Sequence, residues 1–508
     1  MKFIDKDLLS VQEARILMEH AGEAKKALAL YTQEKLDRCL WAMLEAIKGC
    51  LKELAVESAE ETGYGNWQDK YRKNCLVWNQ MSQSLKGMRC VGLVEENPGS
   101  KTAKIGVPLG IIAALVPATS PVSTTLFLAA ISVKSGNAVV FAPHPRAGRT
   151  VQKTVKLLAM AAEAAGLPQG AVSCLGTVGK EGTAALMGHP LTSLVINTGV
   201  PGLLKACRES GKPLICGGIG PSPVFIERTA DVKRAVGYII ASRSFDCGTL
   251  AAAEQYVVAD RQAAAEAKRE MLSQGAYFMN EEEEARLIGL LGPNGSRETE
   301  YMGKTAVWLA QKAGFPVPED TKVLVSQQTY ITDFNPYSGA LLCPVLVFYI
   351  EDDWMYACEK CMELLVNESC GHTLVIHSEN EDVIRQFMLK KPVGRILVNT
   401  PAAFGAMGVT TDLFPSMTLG GLTAGLGITS DNVSPMNLVY MRNAAWGVRE
   451  IPGPEAFDDG GTGRGQAVRA GADMPVDQNA AAVRDENRKE DTLDVAGLLR
   501  AVLRQLED

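Results

Sequence analysis

The residues able to act as nucleophiles, metal ligands or phosphate binders are few and dispersed. Twelve cysteines are scattered along 508 residues without an even framework. Cys358 and Cys361 form a CxxC, but WMYACEKCMELL has helical spacing and no second cysteine or histidine pair follows at ligand distance, which argues against a zinc site. The five histidines are also spread out and suggest no metal centre. The glutamates at 281–284 read as a solvated helix or turn. The turn INTGVPG has a different potential. Glycines at 199 and 202 let backbone N–H groups approach a phosphate at a helix start, although GxxG alone is common in turns.

These side chains must be positioned by the elements around them. Residues 10–52 show helical spacing of apolar positions such as Ile16, Leu17, Ala21 and Leu28, and helical character continues to about residue 88. KTAKIGVPLGIIAALVPATSP then reads as extended segments with Gly-Pro punctuation. From about 106 to 242, short apolar runs (111–116, 138–142, 172–175, 194–197, 223–226) alternate with helical stretches such as 151–165. Such alternation predicts βαβ units and a parallel sheet covered on both faces. A second alternating region runs from about 252 to 419, with apolar runs at 255–258, 322–325, 345–350, 373–376 and 395–398. The prediction is α/β, with two layers in tandem and no internal repeat.

Composition shifts after residue 449. The stretch 450–491 is rich in Gly, Ala, Asp and Arg and nearly free of large apolar residues, so it reads as a flexible linker. In TLDVAGLLRAVLRQLED, residues 492–508, Val495, Leu498, Leu499, Val502 and Leu506 share one helical face, with Thr492 as a cap.

The chain is 46% hydrophobic and 21% charged, with a formal net charge of −7. No basic stripe is present to meet nucleic acid. The longest apolar run is too short to cross a bilayer. MKFIDKDLLSVQEARILMEH lacks the apolar run of an export signal, so free thiols in a cytoplasmic setting are expected.

Eight segments, in order across about 106–449, resemble the CoA-acylating aldehyde dehydrogenases: LGIIAALVPATSPVSTT, FAPHPRA, INTGVPGLLKA, CGGIGPSPVFIERTADVKRAV, SFDCGTLAAAEQYVV, CGHTLVIHS, RILVNTPAAFG and PSMTLGG. The resemblance implies an aldehyde dehydrogenase-like fold. A Rossmann-like cofactor domain with N-terminal helices would span 1–242 and a catalytic domain 243–419. Residues 420–449 would return to a cofactor and oligomerisation element. It further implies NAD or NADP as cofactor, CoA as co-substrate, a short-chain aldehyde as substrate, and a homo-oligomer. In that chemistry a cysteine thiolate attacks the aldehyde, hydride passes to NAD(P), and CoA takes the acyl group from the resulting thioester. The stretch CGGIGPSP lacks the glutamate of hydrolytic relatives, as the CoA-acylating branch does.

Set against the family motif FDxGTxCAxEQ, the nucleophile position is Ala251, whose methyl group cannot carry an acyl group. Ser120 stands where the family has an asparagine that polarises the substrate oxygen. Ala340 stands where a glutamate holds the nicotinamide ribose. Cys247 either substitutes after a shift of loop register or fills the variable position beside Asp246, and the second is favoured because misplacement of about 1 Å already costs heavily. Cys216 reads the same way, as a small buried apolar residue. His372 matches a histidine that contacts CoA or the thioester, or is simply buried and hydrogen-bonded. Pro143 and His144 match residues flanking the adenosine, and Thr198, Gly199 and Gly202 match the pyrophosphate turn. Val200 replaces a second glycine there.

The linker and terminal helix resemble encapsulation peptides of bacterial microcompartment enzymes, which implies docking of 492–508 on a shell or cargo protein rather than on a membrane. Three readings follow. One is an aldehyde dehydrogenase active through Cys247 or bearing an engineered Cys→Ala change. Another is a natural pseudoenzyme partnering an active paralogue. The last is a module that binds NAD or CoA without turnover. Three altered positions favour the second.

Overall fold

In a computed structural model, residues 5–217, 221–292, 298–331, 335–367, 372–421 and 427–451 are described. Four amphipathic helices come first: α1 (Lys6–Leu28), α2 (Gln33–Lys48), α3 (Leu51–Thr62) and α4 (Trp67–Ser84). Asp5, Thr32 and Asn66 cap α1, α2 and α4 by accepting first-turn amides, each satisfying a donor the helix cannot.

Two antiparallel strands follow, β1 (Gly92–Asn97) and β2 (Thr102–Pro108). Next comes a five-stranded parallel sheet of β3 (Ile111–Val116), β4 (Ala138–Pro143), β5 (Val172–Cys174), β6 (Thr192–Asn197) and β7 (Leu214–Cys216), in spatial order β5-β4-β3-β6-β7. Every residue of IIAALV in β3 is buried, as expected of a central strand covered on both faces. The helix between β3 and β4, α5 (Pro121–Lys134), is buried all round, which explains its lack of a polar face. Strand order reverses beside β3: the chain builds outward to β4 and β5, then returns to β6 on the other side. A crevice therefore opens beyond the carboxyl ends of β3 and β6.

The second parallel sheet has seven strands: β8 (Ser222–Ile226), β9 (Glu254–Asp260), β10 (Ala276–Phe278), β11 (Val323–Gln327), β12 (Val345–Glu351), β13 (Thr373–His377) and β14 (Arg395–Val398), ordered β10-β11-β12-β9-β8-β13-β14. This corrects one expectation. The run at 223–226 belongs to the second sheet, not the first, because β8 pairs with β9 and β13. A buried apolar run shows that a strand exists but not which sheet receives it. The second sheet thus begins in the chain with β8. The last strand, β15 (Val439–Ala445), returns to pair antiparallel with β2, forming the third strand beside β1-β2.

Contacts divide the chain into a unit of residues 1–446 and a second of 447–508. The expected linker and terminal helix at 450–491 and 492–508 lie outside the described residues apart from 450 and 451. Among the described residues no helix is long and apolar enough to cross a membrane, and no cluster of three or more His, Cys, Asp or Glu could hold a metal.

Candidate active site

A cavity lies at the switch point. Its walls come from the segment after β3 (Pro117, Thr119, Ser120), the turn after β6 (Thr198, Gly199), the loop before β9 (Thr249 to Ala252), and Leu342, His372 and Met407. Residues far apart in the chain, Ser120, Thr198, Gly199, Ala251 and His372, are thereby brought together. Ala251 is exposed while Leu250 and Ala252 on either side are buried, so the loop presents the position 251 side chain to the open space. That side chain is a methyl group, and among the described residues no cysteine lines the cavity.

The loop is held in an unusual conformation. Asp246 (φ 50°), Cys247 (φ 55°) and Gly248 (φ 75°) are consecutive left-handed residues, and each non-glycine there costs roughly 1–2 kcal/mol. A Cβ at Gly248 would lie 2.7 Å from the Cys343 carbonyl carbon, so only glycine fits. What holds the turn is Asp246, fully buried. Its Oδ2 accepts from Lys73 Nζ (2.8 Å), Lys70 Nζ (3.1 Å) and Thr249 Oγ1 (3.0 Å). Its Oδ1 accepts from the Asn66 amide at 3.0 Å, and its own N–H donates to Asp69 Oδ2 at 2.9 Å. Burial alone would raise the Asp246 carboxyl, but the Lys70 and Lys73 charges and their hydrogen bonds outweigh it and hold the pKa below the ordinary value.

Cys247 does not enter the cavity. Its Sγ lies 4.0 Å from Asn66 Nδ2 at the start of α4. Burial, then the Asp246 charge, push the thiol up to about 11, which leaves little thiolate at neutral pH. Cys216, at the end of β7, is buried with its Sγ 3.3 Å from the Gly217 carbonyl oxygen, and burial pushes it up to about 12.

His372 is buried in the cavity wall, its Nδ1 2.7 Å from Thr373 Oγ1. Burial, then the Arg395 charge, lower its pKa to about 3 against a hydrogen bond with the Ala251 backbone. It is therefore a neutral imidazole at physiological pH, set beside the vacant nucleophile position. Glu254, three residues beyond Ala251, is fully buried and its Oε1 accepts from the Ala402 amide at 2.7 Å. Burial raises it to about 7.

A second pocket is lined by Pro143 and His144 from the end of β4, by 178–180, and by Val200 and Gly202. His144 Nδ1 accepts from the Arg146 amide at 3.1 Å; burial, then Arg146, lower its pKa. Gly199 adopts φ 67° with open space where a Cβ would be. Thr198 Oγ1 lies 2.7 Å from Thr418 Oγ1, which anchors the turn. These features fit the adenosine and phosphates of a dinucleotide. The ribose position fits less well: Ala340 is half-buried, lines neither pocket, and has no side-chain acceptor. Its loop is tied down by Gln255, whose Nε2 donates to the Tyr337 and Gly339 carbonyls and whose Oε1 accepts from the Leu341 amide.

Sequence reasoning missed Lys70, Lys73 and Thr124. A helix reading WQDKYRKN suggests a solvated face, and the only hint was two lysines three apart beside Asn74, all three of which are buried.

Residues 5–283 match the aldehyde dehydrogenase family model. The chain is 34% identical over 441 residues to the bifunctional aldehyde-alcohol dehydrogenase of Escherichia coli, covering 86% of this chain and 50% of that protein. The chain thus spans about half the length of that curated relative. An acetylating aldehyde dehydrogenase from Geobacillus thermoglucosidasius superposes with TM-score 0.85 at 39% identity, covering 89% of this chain and all of the other. A propionaldehyde dehydrogenase from the Clostridium phytofermentans fucose utilisation bacterial microcompartment superposes with TM-score 0.75 at 26% identity, covering 84% and 96%.

Proposed function

The chain belongs to the aldehyde dehydrogenase family, and on that premise we propose that it is a member of the CoA-acylating type that binds NAD(P) and CoA but transfers no hydride from aldehydes. The observation that carries this is the exposed methyl of Ala251 in the cavity wall, with no thiol among the described residues that line the same space. Without a thiolate the aldehyde carbon gains no covalent attachment, and CoA meets no thioester to attack. Bound NAD(P) would supply the hydride acceptor; Pro143, His144, Thr198, Gly199 and Gly202 would hold it. Ser120 in place of a carboxamide and Ala340 in place of a carboxylate remove two further contacts. Loss at three positions with different roles supports a natural silent partner of an active homologous dehydrogenase, joined to it by mixed oligomerisation.

The same reading places the protein in a bacterial microcompartment, with residues 492–508 docking on a shell or cargo protein. Its support is the apolar stripe of that segment and the fold shared with a microcompartment propionaldehyde dehydrogenase.

Thermal unfolding with and without ligands tests the binding half. A rise in midpoint with NAD, NADP or CoA is expected. No shift with any of them would contradict the proposal.

A further inference from the structure

Ser120 is the N-cap of α5, yet its side chain makes no capping hydrogen bond to the helix, where an N-cap serine ordinarily accepts from a first-turn amide. Its Oγ lies instead 2.7 Å from Lys73 Nζ. Lys73 is buried, with Nζ also 2.8 Å from Asp246 Oδ2 and 3.3 Å from the Thr119 carbonyl oxygen. An ammonium donates to all three neighbours. A neutral amine matches them equally well, donating to Asp246 and Thr119 and accepting the Ser120 proton on its lone pair. Charge counting eases the loss of the Lys73 proton. Lys70 Nζ is 3.1 Å from the same Asp246 oxygen, so two buried ammonium groups share one carboxylate, leaving one charge poorly compensated. Burial and the Lys70 charge bring Lys73 down to about 8, against the pull of Asp246 and the more distant Asp69.

Ser120 also lines the cavity that holds Ala251. One helical turn further along α5, Thr124 lines the same space, and its buried Oγ1 has no hydrogen-bond partner among the described residues. A buried hydroxyl left unpaired next to a cavity points to a ligand that completes it.

We propose that Ser120 and Lys73 form a nucleophile and base pair that takes the acyl group from a CoA thioester and passes it to water. This rests on the reading that the cavity receives CoA thioesters. Ser120 Oγ bonds to the thioester carbonyl carbon as its proton passes to Lys73 Nζ. Thr124 offers its hydroxyl to the carbonyl oxygen. The C–S bond breaks, and the departing CoA sulfur takes the proton from Lys73. Water, deprotonated by Lys73, then attacks the Ser120 ester, releasing the carboxylic acid and restoring the hydroxyl. No electrons are exchanged, so neither NAD nor a thiol is required. Ser120 is the catalytic nucleophile and Lys73 the base; Asp246 positions Lys73.

Two probes test this. Propionyl-CoA is assayed for free thiol release, and p-nitrophenyl propionate, which needs no CoA site, for nitrophenol release. Both should be hydrolysed, with a propionyl adduct on the peptide containing Ser120 and a rate that rises as pH passes about 8. Ser120→Ala and Lys73→Met should each lower both rates by about 100-fold or more. Lys73→Met leaves Lys70 and Asp246 as a one-to-one pair, and its unfolding midpoint shows that it still folds. Equal hydrolysis by Ser120→Ala, or no hydrolysis of either probe by the folded wild type, overturns the proposal. Ser120-dependent nitrophenol release without propionyl-CoA turnover and without a thermal shift by CoA would overturn the CoA reading instead, and would support the pair itself.

Discussion

Cys247 and Ala251 sit four residues apart on one loop but serve different surroundings: the sulfur packs 4.0 Å from Asn66 at the start of α4, whereas the methyl of Ala251 faces the cavity. The left-handed backbone at 246–248 and the Asp246 contacts fix that division. The one thiol on this loop is thus held away from the position where the family's reaction needs it.

Thiol labelling should report this directly. With Cys247 buried and its pKa pushed up to about 11, alkylation at pH 8 followed by peptide mapping should leave it unmodified in the folded protein. A cysteine introduced by Ala251→Cys should label at least about 10-fold faster. Comparable labelling of Cys247 would mean that the loop shifts register.

Asp246 compensates two buried lysines, so Asp246→Asn should destabilise the protein by about 3–5 kcal/mol, read from denaturant unfolding. Lys70 and Lys73 would then share no counter-charge. A loss below about 1 kcal/mol would show that water reaches the cluster.

Glu254 predicts a pH signature. Its folded pKa is raised to about 7 from 4.5, so between these values the folded state retains a proton that the unfolded chain releases. Stability is therefore lost as pH rises through this window. Glu254→Gln mimics the protonated form, so its stability relative to wild type should improve between pH 5 and pH 8, by an amount on the order of 3 kcal/mol. A pH-independent difference would refute the assignment.

The two parallel layers were legible from short apolar runs between helices, because strands buried on both faces carry little polar residue. The partner sheet of β8 was not, since pairing with β9 and β13 depends on contacts up to about 150 residues away in sequence. Ala251, Ser120 and His372 were found through motif position and do meet in one cavity. Lys73 was missed for a physical reason: a lysine on a polar helix reads as solvated until Asp246, 173 residues later, is folded against it.

The tail carries its own test. Deleting residues 492–508 should abolish co-purification with shell or cargo proteins while leaving the unfolding midpoint of the main unit unchanged. Retained association would remove the docking role.

Ser120 departs from the carboxamide of the resembled family. In an Ala251→Cys background, adding Ser120→Asn should raise kcat by about 100-fold, as restoring one oxyanion donor does. No gain would show that Thr124 or Ser120 already supplies that contact.

The central claim is that the fold and ligand sites persist while hydride transfer is absent for want of one sulfur. Nicotinamide absorbance with propanal, CoA and NAD, compared between wild type and Ala251→Cys, tests it most directly. The account predicts no NADH from the wild type and aldehyde- and CoA-dependent NADH from the variant. Steady turnover by the wild type, above all turnover that disappears in Cys247→Ser, would contradict it.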